Sequence, residues 1–194
     1  MDGVAAARAG RNYEDDGDER SLILAAQGDP AAFGMLYTRY LDRIYSFLRV
    51  RTTSEEDAAD LTQQVFTQAL AALPRYKLGE APFSAWLFRI AHNLASNYYR
   101  QRRTTLSWNL LLEKMHPADY RAPDEGVLLQ EELTLLRGLT AGLASEKQEL
   151  LALRFSAGLT SREISHVVNK SEASVQKQLT RILNDLRASY KERN

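Results

Sequence analysis

Apolar side chains recur along most of this chain at spacings of three and four, interrupted by short clusters of Pro, Gly, Asp and Ser. Asp29-Pro30 joins a capping residue to the residue best suited to a first helical position. Phe33, Leu36, Tyr37, Tyr40, Leu41, Ile44 and Leu48 then mark one face. Ser54, followed by Glu55, Glu56 and Asp57, opens a second helix with acidic groups at its positive end, and Leu61, Val65, Phe66, Ala69 and Leu73 carry it to Pro74. A third begins near Pro82, with Phe83, Trp86, Leu87, Ile90, Ala91 and Leu94 as its inward stripe. No segment alternates β-branched and polar residues between turns as a half-buried strand would. The predicted fold class is all-α.

Between about 104 and 127 the periodicity dissolves into Thr, Pro, Asp and Gly, which predicts a linker with a short helix around 110–114. Past it, residues 127–139 are leucine-rich, and Ser145-Glu146-Lys147-Gln148 has the form of a capping box. The predicted organisation is a tail over 1–19, a helical unit over 20–104, a linker over 105–127 and a smaller helical unit over 128–194.

The second unit carries closely spaced punctuation. Ser156-Ala157-Gly158-Leu159 reads as a turn, Thr160-Ser161-Arg162-Glu163 as a capping box, Val168-Asn169-Lys170 as a second turn, and Ser171 as the cap of a last helix. Helix, three-residue turn, helix is the form of a helix-turn-helix. In the last helix Val175, Leu179, Ile182 and Leu186 point inward. Ser171, Glu172, Ala173, Ser174, Gln176, Lys177, Gln178 and Arg181, with Arg162 on the preceding helix, become candidates for duplex contact. Gln can pair in bidentate fashion with adenine, and Lys or Arg with guanine or phosphate. An ordinary helical hairpin with a solvated face fits the same pattern.

Opposite the Trp86 stripe lie Arg89, His92, Asn93, Ser96, Asn97 and Arg100, and the helix runs out through Tyr98-Tyr99-Arg100-Gln101-Arg102-Arg103. Aromatic rings among arginines suit unstacked bases, which need a flat platform and a cation near the backbone. Snorkelling side chains at a helix C-terminus give the same composition.

Charge refines this picture. Over 194 residues 25 basic groups balance 25 acidic ones, but not evenly: 1–19 holds 2 basic against 6 acidic, 20–104 holds 11 against 7, 105–127 holds 2 against 4, and 128–194 holds 10 against 8. Two mildly basic units are thus preceded by an acidic tail and separated by an acidic connector. Long-range attraction to a polyanion is weak and salt-sensitive on these terms. The tail reads either as plain disorder or as a competitor with DNA for the basic faces. With no cysteine, disulfides, thiol nucleophiles and cysteine-ligated metals are excluded. The first residues lack the basic start and apolar stretch of a secretion signal, and no run approaches the roughly 20 apolar residues of a membrane span, so a cytoplasmic protein without membrane insertion is expected. Neither Gly-x-x-x-x-Gly-Lys, His-Glu-x-x-His nor a nucleophile elbow is present; no enzyme activity, cofactor or metal is expected.

Across roughly 20 to 190 the residues resemble the extracytoplasmic-function (ECF) sigma factors, the compact group of sigma-seventy-type bacterial initiation factors. Asp29-Pro30-Ala31-Ala32-Phe33 with Leu36-Tyr37 resembles their region 2.1, and Asp57-Ala58-Ala59-Asp60-Leu61-Thr62-Gln63-Gln64-Val65-Phe66 resembles region 2.2. The segment from Pro82 through Trp86, Arg89 and Asn93 is similar to regions 2.3 and 2.4, and the helix-turn-helix to region 4.2. The resemblance implies that Asp57, Asp60, Gln63, Gln64 and Phe66 dock on the beta-prime clamp of core RNA polymerase. It further implies that the loop carrying Arg75, Tyr76 and Lys77 pockets a flipped minus-10 base beside Arg89, His92, Asn93 and Ser96, and that the second unit reads the minus-35 duplex near the beta flap. The connector would thread toward the polymerase cleft, and an anti-sigma factor would hold the protein inactive. Trp86, in register with Phe83, Ile90 and Leu94, reads as core. Gln64 stands where the family usually has an acidic residue, and Gln176 and Gln178 where it usually has Lys or Arg, so weaker minus-35 anchoring and a shallower salt dependence are expected. The helix-turn-helix alone also fits a dimeric transcription activator, which would lack the Asp60/Gln63/Gln64 and Trp86/Arg89/Asn93 patterns. A third reading is a helical adaptor without DNA activity.

Overall fold

The computed structural model describes residues 12–102, 138–140 and 142–193, and every regular element among them is helical. Helix α1 (Asn12–Gly28) leads through a 3₁₀ turn (Pro30–Ala32) into α2 (Phe33–Arg49); α3 (Glu55–Ala72) passes through a second 3₁₀ turn (Leu73–Arg75) to a loop and α4 (Phe83–Arg102). The second group comprises α5 (Ser145–Leu151), a π turn (Ala152–Ser156), α6 (Ser161–Val168) and α7 (Glu172–Arg193). The linker expected over 105–127, and the short helix within it, lie outside the described residues.

The boundaries have local causes. Asp29 is extended and its carboxylate accepts the Ala31 N–H at 2.9 Å, with Pro30 in the first position. The Ser54 hydroxyl accepts the Asp57 N–H at 3.0 Å, beside three acidic residues in the first turn of α3. Thr160 and Glu163 form the complete reciprocal capping box at α6, Asn169 ends that helix in the left-handed region at φ 53°, and the Ser171 hydroxyl accepts the Ser174 N–H at 3.2 Å to start α7. Each cap of this kind is worth about 1 kcal/mol.

Ser145 departs from expectation. Ala144 is the cap and Ser145 the first helical residue, because the Gln148 side chain is drawn into the interior, where it donates to the Thr140 carbonyl at 3.1 Å instead of closing a box. The acidic tail is also shorter than its charge suggested: α1 begins at Asn12, Asp18 pairs with Arg39 at 2.7 Å, and the Tyr40 hydroxyl donates to Glu19. Burial, then the Glu19 charge and hydrogen bond, push the Tyr40 phenol well above its usual range, so it remains a donor.

In the first group α2, α3 and α4 enclose Phe47, Ile44, Leu48, Val65, Phe88 and Ala91, with Phe47 and Phe88 meeting edge to face at 5.8 Å. The inward side of α4 is Phe83, Leu87, Phe88, Ala91 and Ala95; Trp86, Ile90 and Leu94 form a half-buried flank. Trp86 is therefore not core. It stands at the start of α4, where the neighbouring chain is a loop and not a helix. In the second group Leu151, Leu153, Leu159 and Ile164 meet Val175, Leu179 and Ile182 of α7. The two groups pack together, α4 lying along α6 and α2 against the π turn.

Candidate nucleic-acid and polymerase interface

On α3, Asp60, Gln63 and Gln64 are exposed on the surface opposite Leu61 and Val65. Asp57 is not free to join them: its Oδ2 accepts from the Ser54 hydroxyl at 2.6 Å and the Tyr98 hydroxyl at 2.9 Å, tying the start of α3 to the end of α4. Phe66, expected among the docking residues, is only 4% exposed. Its ring lies against Phe33 and under Tyr37, whose centroid is 4.5 Å away. The surface aromatic here is Tyr37, 39% exposed, with Leu70 showing one turn beyond Phe66.

The loop 75–80 stands over the start of α4. Tyr76 packs its ring against Phe83 and Trp86 at centroid distances of 5.6 and 5.1 Å and donates its hydroxyl to the Ala81 carbonyl at 2.7 Å. Burial, with a smaller effect of Glu19, raises its phenol, which keeps that donor protonated. Gly79 turns the loop at φ 94°, a conformation side chains resist. Lys77 and Glu80 form an exposed pair at 3.4 Å. Trp86 and Arg89 join Arg75, Tyr76 and Lys77 around a notch of about 270 Å³. Of the candidates farther along α4, Asn93, Asn97 and Arg100 are exposed and His92 and Ser96 half-buried.

Sequence reading missed the group that fixes this loop. Gln27 of α1 donates from Nε2 to both the Leu73 carbonyl at 3.0 Å and the Tyr76 carbonyl at 2.7 Å. A glutamine before a Gly-Asp-Pro turn carries no signal of such reach. Replacing it with Ala leaves two carbonyls without that donor. We expect a loss of about 1 kcal/mol in urea unfolding, with faster amide exchange confined to 76–81; unchanged exchange there would show that the tether is dispensable.

On α7 the outward row is Ala173, Gln176, Lys177, Thr180, Arg181 and Asn184. Gln178 sits off it, half-buried, its Oε1 accepting from Lys170 at 3.4 Å and its Nε2 donating to Ser174 at 2.9 Å. Ser171 and Glu172 are exposed at the helix start, beside the half-buried Ser174. Arg162 is separated from the row: it lines a crevice between the two groups with Glu19, Arg20 and Pro82.

Two candidates on α4 face the second group. Arg89 donates to the His166 carbonyl of α6, and His92 contacts the Glu149 carboxylate of α5. Arg51, 5% exposed, completes the cluster with Nη1 at 3.8 Å from Glu149. Burial alone would raise the Glu149 carboxyl, but the His92 hydrogen bond and the Arg51, His92 and Lys170 charges outweigh it and hold the group below its usual value. The packing contribution of Glu149 is thus present above the free value of about 4.3 and is lost only as pH falls below it through the lowered folded value.

No helix among the described residues is long and apolar enough to cross a membrane, and no group of three or more metal-ligating side chains occurs among them.

Comparison with known proteins places these surfaces in a family. The Sigma-70 region 2 family model matches residues 36–105. The chain is 31% identical over 158 residues to the ECF RNA polymerase sigma factor BldN of Streptomyces coelicolor, a match covering 80% of this chain and 59% of BldN. It is 30% identical over 157 residues to the ECF RNA polymerase sigma factor SigM of Bacillus subtilis, covering 80% of this chain and 93% of SigM. Among solved structures, CnrH in complex with the cytosolic domain of CnrY superposes with a TM-score of 0.64 at 24% identity, covering 90% of this chain and 98% of that one. The helical fold, the region 2 match and the near full-length likeness to SigM lead to one conclusion: the chain belongs to the ECF sigma factors, the initiation factors that direct bacterial core RNA polymerase to promoters.

Proposed function

We propose that the two helical groups divide promoter recognition between them. The first docks on the beta-prime clamp through the exposed Asp60/Gln63/Gln64 face with Tyr37 beside it. It receives the melted minus-10 strand at the Arg75-Tyr76-Lys77 loop, Trp86, Arg89 and Asn93. The second, positioned near the beta flap, presents the outward row of α7 to the minus-35 duplex. The observation that carries this reading is the pairing of a capped helix-turn-helix, whose polar row faces solvent, with an aromatic-and-arginine notch on a separate helical group.

Energetics favour a division of labour with polymerase. Opening duplex costs about 1.4 kcal/mol per base-pair step, and stacking a captured base on an aromatic returns about 1–3 kcal/mol. Several opened steps exceed what one notch offsets, so polymerase completes the strand-separating surface. As an initiation factor the protein works by binding and not by its own catalysis, in the cytoplasm, with an anti-sigma factor as its repressing partner.

Run-off transcription with purified core polymerase and a genomic promoter pool tests the assignment. Specific starts sharing two spaced elements are expected; specific operator binding without polymerase, and no starts with it, would transfer the chain to the activator reading. On the minus-35 side, Lys177→Ala should weaken binding about equally across sequences and reduce the salt slope by about 1. Gln176→Ala should relax preference at one base, read from a promoter library. An unaltered library preference would remove Gln176 from base readout. Gln178, held between Lys170 and Ser174, supports the helix start and is not assigned a base.

A further inference from the structure

The face of α4 assigned above to the melted strand is in contact with the chain's own second half, and the contacts are specific. Ser84, 4% exposed, donates to one oxygen of Glu163, whose other oxygen closes the α6 capping box with Thr160. Arg89 donates to the carbonyl of His166, and His166 itself stands in the wall of the notch around Tyr76 and Trp86. From α2, Arg43 lies over the Tyr40 and Phe88 rings at 5.4 and 5.5 Å and donates from Nε to the Ala157 carbonyl at 2.9 Å, the carbonyl that follows the π turn. Beside these contacts lies the buried trio of Arg51, His92 and Glu149.

Such a face cannot also hold a nucleotide strand. The Arg89 guanidinium is committed to a carbonyl, the notch is walled by α6, and His92 is turned to a carboxylate. We propose that α5–α6 is an intramolecular competitor of single-stranded promoter DNA, latched over the minus-10 face by Glu149; the proposal rests on the assignment of that face above. Glu149 suits a latch because it supplies the negative charge between two cation-capable groups of the first half. Taking it away leaves Arg51 buried without its carboxylate in the closed form, whereas on opening Arg51 meets water. The closed form is thereby selectively disfavoured, while the interior of each half is left untouched.

The test uses the full chain. Because it has no native cysteine, Leu24→Cys and Lys191→Cys, both exposed, accept a dye pair that reports the separation of the halves. Glu149→Gln should shift the closed-to-open ratio by about a hundredfold, seen as reduced energy transfer with unchanged helical circular dichroism. The same variant should bind a fluorescent random-sequence single-stranded DNA pool at least about tenfold more tightly than the parent. Adding core polymerase to the parent chain should reduce its transfer in the same way, a readout that needs no variant to fold. Three results would overturn the proposal: transfer unchanged by Glu149→Gln, opening without any gain in DNA affinity, or a parent chain that keeps its high transfer when bound to polymerase. Failure of the promoter assignment appears separately, as absent run-off transcription whatever the dye pair reports.

Discussion

Phe88→Ala is expected to destabilise the first helical group by about 3–5 kcal/mol, a large part of the 5–15 kcal/mol that holds an ordinary domain together. Phe88 has no exposed surface; it meets Phe47 edge to face and lies beneath the Arg43 guanidinium, so its removal opens a cavity between α2 and α4 and takes away the platform under that cation. With a urea dependence of about 2 kcal/mol per molar, the unfolding midpoint should drop by about 2 M. Phe88→Leu, which keeps most of the volume, should recover more than half of the loss. A midpoint change below a quarter of the expected value would mean that α2 and α4 do not share this interior.

The second large effect concerns binding. Tyr37→Ala should weaken association with core polymerase by about thirtyfold, corresponding to about 2 kcal/mol. The ring is partly exposed on a firm base of Phe66, next to the polar face of α3, and aromatic residues so placed tend to dominate interfaces. The fold should survive, because Phe66 keeps its contact with Phe33. Leu24→Ala is the control: Leu24 is also an exposed apolar residue, but it stands on α1 and should leave affinity unchanged. Equal losses from both substitutions, measured by titrating labelled protein with core polymerase, would locate the docking face elsewhere.

These cases show which parts of the molecule could be read from residue order. Helix positions could, because their determinants are local: Asp29-Pro30, Ser54 with its acidic successors, the Thr160/Glu163 box and Ser171 all cap as their chemistry requires. Family motifs along the same helices gave the candidate surfaces. Depth within a surface was less legible. Phe66 matches a docking motif yet is buried, because α2 supplies Tyr37 above it, and periodicity on α3 cannot register a ring contributed by another helix. Trp86 erred the opposite way, its apolar register suggesting interior when its neighbour is the loop that Gln27 anchors. Pairings between distant positions, Arg51 and His92 with Glu149 or Ser84 with Glu163, leave no trace in spacing, since long-range partners depend on how two independently patterned units come to rest.

The π turn at Ala152–Ser156 bears on how this chain tolerates insertion and deletion. The Ala157 N–H reaches back to the Ala152 carbonyl at 3.0 Å, five residues away, so this turn accommodates one residue more than a regular helix would. Losing a single codon here would let the helix close to ordinary geometry, rotating the downstream hairpin by about 100° and drawing it in by about 1.5 Å. The base-reading row of α7 would then be re-aimed as a rigid body with every side chain it carries unaltered, a change that a catalogue of amino-acid substitutions would never sample.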